Sequence, residues 1–135
     1  MGLDQWILRT SKWDDVPVIL ENGEFNCKEV LELRKECWLH NRVLEIGKDK
    51  LGKEYKDLNC VFIPLSKDEL YSILEDSKEC VRVKSEFLVD DKFGTGLFFS
   101  NHDLDWCLDG MRVFNRTMGS ALRSRDECYW YLSWW

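Results

Sequence analysis

Apolar positions fall along this chain in two rhythms, one of strands and one of helices. Residues 3–9 hold the run Trp6-Ile7-Leu8 and read as a strand. A loop follows through Asp14, Asp15 and Pro17, then a short apolar piece at Val18-Ile19-Leu20 and a turn at Asn22-Gly23. Asn26, with Glu29 three residues on, predicts the start of a first helix. Its apolar face is Val30, Leu33, Cys37 and Leu44, and Gly47 is its expected stop. Residues 47–57 are rich in Lys, Asp and Gly, as a solvated loop is, and Val61-Phe62-Ile63 predicts a short strand ending at Pro64.

Ser66-Lys67-Asp68-Glu69 is a capping box, followed by the buried stripe Leu70, Ile73 and Leu74. Residues 81–89 read as extended, and Gly94-Thr95-Gly96 leads into a strand at Leu97-Phe98-Phe99-Ser100. Asn101-His102-Asp103 offers a cap for the longest helix. Its stripe is Leu104, Cys107, Leu108, Met111, Val113 or Phe114, Met118 and Leu122. A charged turn over residues 123–127 then precedes an aromatic strand. The order predicts an α+β fold: one domain over residues 1–135, with a small, mainly antiparallel sheet and about three helices.

The aromatic strand, Tyr129-Trp130-Tyr131-Leu132-Ser133-Trp134-Trp135, spends five rings in seven residues. Ends of domains fray unless they are tied down, so this one is expected to be buried or held by a partner. The chain then reads as a complete, compact protein whose last strand belongs to its working surface. Alternation puts Trp130 and Trp134 on one face and Tyr129, Tyr131 and Trp135 on the other. The second set is the candidate for stacking on a base or filling a protein pocket, with packing in the core as the alternative.

Composition narrows the class. With 44% hydrophobic and 33% charged residues, the 135-residue chain is globular, and seven Trp favour aromatic contacts. No run approaches the roughly 18 apolar residues of a membrane span, and the start lacks the basic and apolar regions of a secretory signal. A net charge of −6 argues against a duplex-binding protein. The six cysteines form no C-x-x-C pair, and His40, three residues after Cys37, has no second pair to complete a zinc site. Free, mostly buried thiols are expected.

Candidate chemistry is sparse. Arg34 and His40 are candidates for an anion-binding cleft, since a guanidinium offers phosphate a planar donor fork. The alternative for Arg34 is an ion pair with Asp4, because positions three and four away on either side hold no acid. Arg112 and Arg116 are one turn apart, either as an ion-paired face or, if Arg34 faces them, as part of a nucleotide pocket. Asp103, Asp105 and Asp109 spread around a helix, so no metal site is expected, nor any cofactor. Gly94-Thr95-Gly96 is too short for a phosphate loop, and no Gly-x-Ser-x-Gly occurs.

Taken in order, Met1-Gly2-Leu3-Asp4, Arg34-Lys35 with His40, Ser66 with Leu70, Gly96-Leu97-Phe98-Phe99-Ser100, Asp103 with Asp105 and Trp106, and Ser133-Trp134 form a pattern. The pattern resembles a family of small phage and prophage proteins that open MGLD and end in an aromatic Ser-Trp strand. Leu33, Cys37 and Arg42 depart from it, and it transfers no catalytic residue. The resemblance implies a phage-encoded accessory protein of the host cytoplasm that acts by binding. It would inhibit or sequester a component of a host defence system, a host protein or a small nucleotide-like signal. The contacts would come from Arg34, His40, Arg112, Arg116, Tyr129, Tyr131 and Trp135. The alternative is a small enzyme acting on a nucleotide or other phosphorylated substrate, with His40 as general acid or base. Self-association stays open, and no membrane partner is expected.

Overall fold

Four strands, β1 (Asp4–Thr10), β2 (Lys28–Arg34), β3 (Ile63–Leu65) and β4 (Cys128–Trp134), form one antiparallel sheet in the order β2-β1-β4-β3. Among the described residues four helices accompany it: α1 (Cys37–Leu51), α2 (Lys67–Val83), α3 (Glu86–Phe93) and α4 (Leu104–Ala121), with one turn of 3-10 helix at Tyr55–Leu58. The fold is a single α+β domain. The computed structural model describes residues 2–94, 103–123 and 127–135. The strand expected at residues 97–100 lies outside them.

The register decides what each face of the sheet carries. Gln5, Ile7 and Arg9 stand opposite Ser133, Tyr131 and Tyr129, while Asp4, Trp6, Leu8 and Thr10 stand opposite Trp134, Leu132, Trp130 and Cys128. Neighbouring residues of a strand point to opposite sides, so these are two faces. Ile7, Leu31, Leu33, Ile63, Tyr129 and Tyr131 join the core beneath the helices, against side chains such as Trp38, Leu44 and Phe114. On the outer face, residues 11–27 lie over the sheet. Trp13 meets Trp130 edge-on at 5.2 Å, and Phe25 meets Trp6 at 5.7 Å.

Local signals placed the starts of α2 and α4. Ser66 Oγ accepts from the Glu69 amide at 3.1 Å and the Ser66 amide donates to Glu69 Oε1 at 2.9 Å, both halves of the capping box. Asp103 Oδ1 accepts from the Trp106 amide at 2.9 Å and caps α4. The Asn22-Gly23 turn also forms, with Gly23 at φ 84° and the Glu24 amide donating to Asn22 Oδ1.

Three expectations need correction. Residues 28–34 are a strand, not the first turns of a helix. Leu31 and Leu33 fit a period of two as well as Val30 and Leu33 fit a helix, and pairing along β1 decides the matter. Helix α1 starts only after Lys35 has taken φ 56°, and it runs past Gly47. There a Cβ would meet Ile63 Cδ1 at 2.8 Å, so Gly47 serves close packing, and Gly52 at φ 63° ends the helix. Residues 81–89 are helical rather than extended: α2 continues to Val83, Lys84 takes a left-handed cap, and Ser85 caps α3. Val81 and Val83 favour a strand, but the helix packed on α4 overrides that preference.

Candidate functional site

Behind the sheet, several buried polar side chains form a hydrogen-bonded network. Gln5 lies in the middle of it, with Oε1 accepting from the Glu36 amide at 2.8 Å and Nε2 donating to Glu36 O at 3.1 Å and to Tyr131 Oη at 2.9 Å. The Tyr131 hydroxyl in turn stands 3.0 Å from His40 Nδ1. Burial holds His40 far below its usual range, at about 3, and pushes the Tyr131 phenol well above its own. Beside them Glu36, 6% exposed, accepts from Trp38 Nε1 at 2.7 Å. Burial raises its carboxyl to about 7, the Trp38 donation opposes the rise, and the Asp109 charge adds to it.

His40 is fully enclosed, so no substrate or anion reaches it in this structure. Tyr129 and Tyr131 are equally buried, which corrects the assignment of faces on β4. Trp135 is half-buried with its ring 4.8 Å from His40, and Asn59 grips its backbone from both sides. Tyr129, Tyr131 and Trp135 therefore point toward the core, while Trp130 and Trp134 occupy the outer face.

The arginines do not converge. Arg34, on the outer edge of the sheet, pairs with Asp4 at 2.9 Å. Arg112 pairs with Asp109 one turn earlier on α4, and Arg116 is exposed on the same helix. Arg42, one of the departures from the phage-type pattern, clamps three helices instead. It donates to Lys92 O and Ser72 Oγ, pairs with Asp76 at 2.9 Å and lies over the Phe93 ring. Among the described residues no group of three His, Cys, Asp or Glu side chains is set to hold a metal ion, and no helix is long and apolar enough to cross a membrane. Burial pushes the Cys107 thiol up to about 12 and Cys80 to about 11, so neither is a ready nucleophile.

The accessible site lies on the other side of the sheet. A groove of about 600 Å³ opens between Trp6, Leu132 and Trp134 of the sheet and Ile19, Glu24 and Phe25 of the covering segment, with Glu29 and Glu32 of β2 on its rim. Trp134 is 59% exposed there with Ile19 exposed on its wall, and Trp13, Val16, Val18 and Leu20 are exposed elsewhere on the covering segment. By contrast, the cavity lined by Trp38, Val89 and Leu104 on the helical side measures about 20 Å³, room for little more than one water.

The sequence reading passed over Trp6, Phe25, Glu29 and Glu32 as site residues, and over Gln5, Glu36 and Trp38 as members of the buried network. The signal was present in Trp134, whose neighbours on the open face follow once β4 is set against β1. Set beside family models, curated proteins and solved structures, the chain matches none, so the site is read from its own residues.

Proposed function

We propose that this protein works by binding another macromolecule through the outer face of its sheet and the segment 11–27. One observation carries the reading. Six of the ten exposed large apolar side chains among the described residues, Trp13, Val16, Val18, Ile19, Leu20 and Trp134, lie in that one segment or on the strand beneath it. Concentrated apolar exposure of this kind marks an interaction surface rather than a solvated one. Tryptophan in particular supplies the large, rigid contacts on which binding energy concentrates. The phage-type resemblance supplies the context: the partner is a component of a host defence system, met in the host cytoplasm and disarmed by sequestration. The enzymatic alternative finds no support in the geometry, since His40 is enclosed and Arg34 and Arg112 are each committed to a carboxylate.

The test is a surface variant, Trp13→Ser/Ile19→Ser/Trp134→Ser, against Phe87→Ser on α3, which removes a still more exposed ring elsewhere. The triple variant should keep its circular dichroism spectrum yet lose the partner recovered from host lysate and any protection of phage growth. Phe87→Ser should keep both. Partner capture undiminished in the triple variant ends this reading.

A further inference from the structure

We propose that the outer groove seats a basic protein segment, a Lys or Arg side chain lying on the rings of Trp6, Phe25 and Trp134 and ending on Glu24, Glu29 and Glu32. This rests on the outer face being the binding surface and adds the chemistry of what it binds.

The walls come first. Trp6 lies beside Leu132 in the register, Trp134 beside Asp4, and Phe25 meets the Trp6 ring edge-on at 5.7 Å, 66° between planes. These rings offer electron-rich faces that attract cations. The rim is acidic by construction. A bulge in the β1–β2 pairing falls where Ile7 faces Leu31 and Leu8 faces Glu29, leaving Val30 as the extra residue. In a regular strand, residues 29 and 32 would point to opposite sides. The added residue turns Glu29 back to the side of Glu32, and both line the groove. Glu24 completes the rim, its carboxylate held by Asn22 Nδ2 at 3.2 Å.

Charge then selects the occupant. The groove's lining includes three carboxylates and neither Lys nor Arg. Burial and then the Glu32 charge raise the Glu29 carboxyl. A guest cation relieves that repulsion, whereas a phosphate backbone or acidic segment increases it. The net charge of −6 favours the same partner at long range. At about 600 Å³, the open groove exceeds what one small ammonium ion fills, and it runs beside β2, an edge strand of the sheet, along which an extended chain can lie.

Fluorescence anisotropy with a labelled nine-residue peptide alternating Arg and Leu tests the proposal. The control peptide carries citrulline for arginine, similar in shape and uncharged. The arginine peptide should bind at least tenfold more tightly. Glu29→Gln/Glu32→Gln should weaken it at least tenfold, while Glu75→Gln/Glu79→Gln on α2, the same change in net charge, should leave it within twofold. Equal losses in the two double variants would reduce the effect to overall charge and overturn the proposal. Equal affinity for both peptides, lost in Trp134→Ala, would keep the binding face and overturn its preference for a basic guest. Binding of neither peptide overturns the proposal, and dimerisation abolished by Trp134→Ala would then assign the groove to a second copy.

Discussion

Gly110 of α4 exists to admit Glu36. A Cβ at that position would fall inside the Glu36 carboxylate, which would have to leave its place against Trp38 Nε1 to make room. Glycine inside a helix costs about 1 kcal/mol against alanine, and close packing here outweighs that preference.

Gly110→Ala should therefore destabilise the protein by about 1–3 kcal/mol, against the direction that helix propensity alone gives. Urea unfolding measures it. Adding Glu36→Ala should recover part of the loss, the non-additivity expected of two groups competing for one space.

The buried pair Glu36 and His40 sets an unusual dependence on pH. Glu36 is raised from 4.5 to about 7, so its contribution to stability is full below pH 4.5 and is lost as pH rises to 7. His40 is lowered from 6.5 to about 3, so its contribution is full above pH 6.5 and is lost as pH falls to 3. Between pH 4.5 and 6.5 the folded chain holds its proton on Glu36 and the unfolded chain on His40, and the two slopes cancel. Stability from this pair is flat across that window and falls on both sides. Glu36→Gln should expose the His40 slope, with about 3 kcal/mol lost between pH 6.5 and 4.5, measured by urea unfolding at steps of half a pH unit.

Tyr131→Phe removes the oxygen shared by Gln5 and His40 and leaves two buried polar atoms with one partner fewer. The expected cost is about 1–3 kcal/mol in unfolding free energy, with secondary structure retained by circular dichroism.

Two tryptophans on the same face should behave differently. Trp130 is buried, with its indole donating to Thr10 Oγ1 at 3.0 Å and its ring against Trp13. Trp130→Ala should cost about 3–5 kcal/mol. Trp134, exposed on the same strand, should change stability by no more than about 0.5 kcal/mol on substitution by alanine. Thermal melts of the two variants separate the structural part of this face from the part open to a partner.

The features legible in the sequence were those written within a few residues. Ser66 and Asp103 announced their helices because a cap is a contact three residues long. Asp4 could be matched to Arg34 because no acid stands three or four positions from that arginine, although the pair turned out to cross two strands rather than join a strand to a helix. The stretch 28–34 was ambiguous in itself, and only the β1 register resolved it. Both faces of β4 were aromatic, so local pattern did not say which turns inward. That choice came from Gln5 and Ile7, whose partners lie at the other end of the chain. The groove was illegible for the same reason, since Trp6, Phe25 and Glu32 meet only after strand pairing and a bulge have set them side by side.

The central pairing of the sheet joins Asp4 to Trp134 and Thr10 to Cys128, closing a loop that spans nearly the whole chain. Closing so long a loop must be met in entropy before those contacts repay it. Assembly of this protein is accordingly gated by its most distant contacts, and its folding rate belongs with the slower, non-local topologies rather than with helical bundles of similar size. Until that pairing forms, Trp130, Tyr131 and their neighbours remain unshielded, and a cell making this protein must keep the nascent aromatic stretch from sticking to others of its kind.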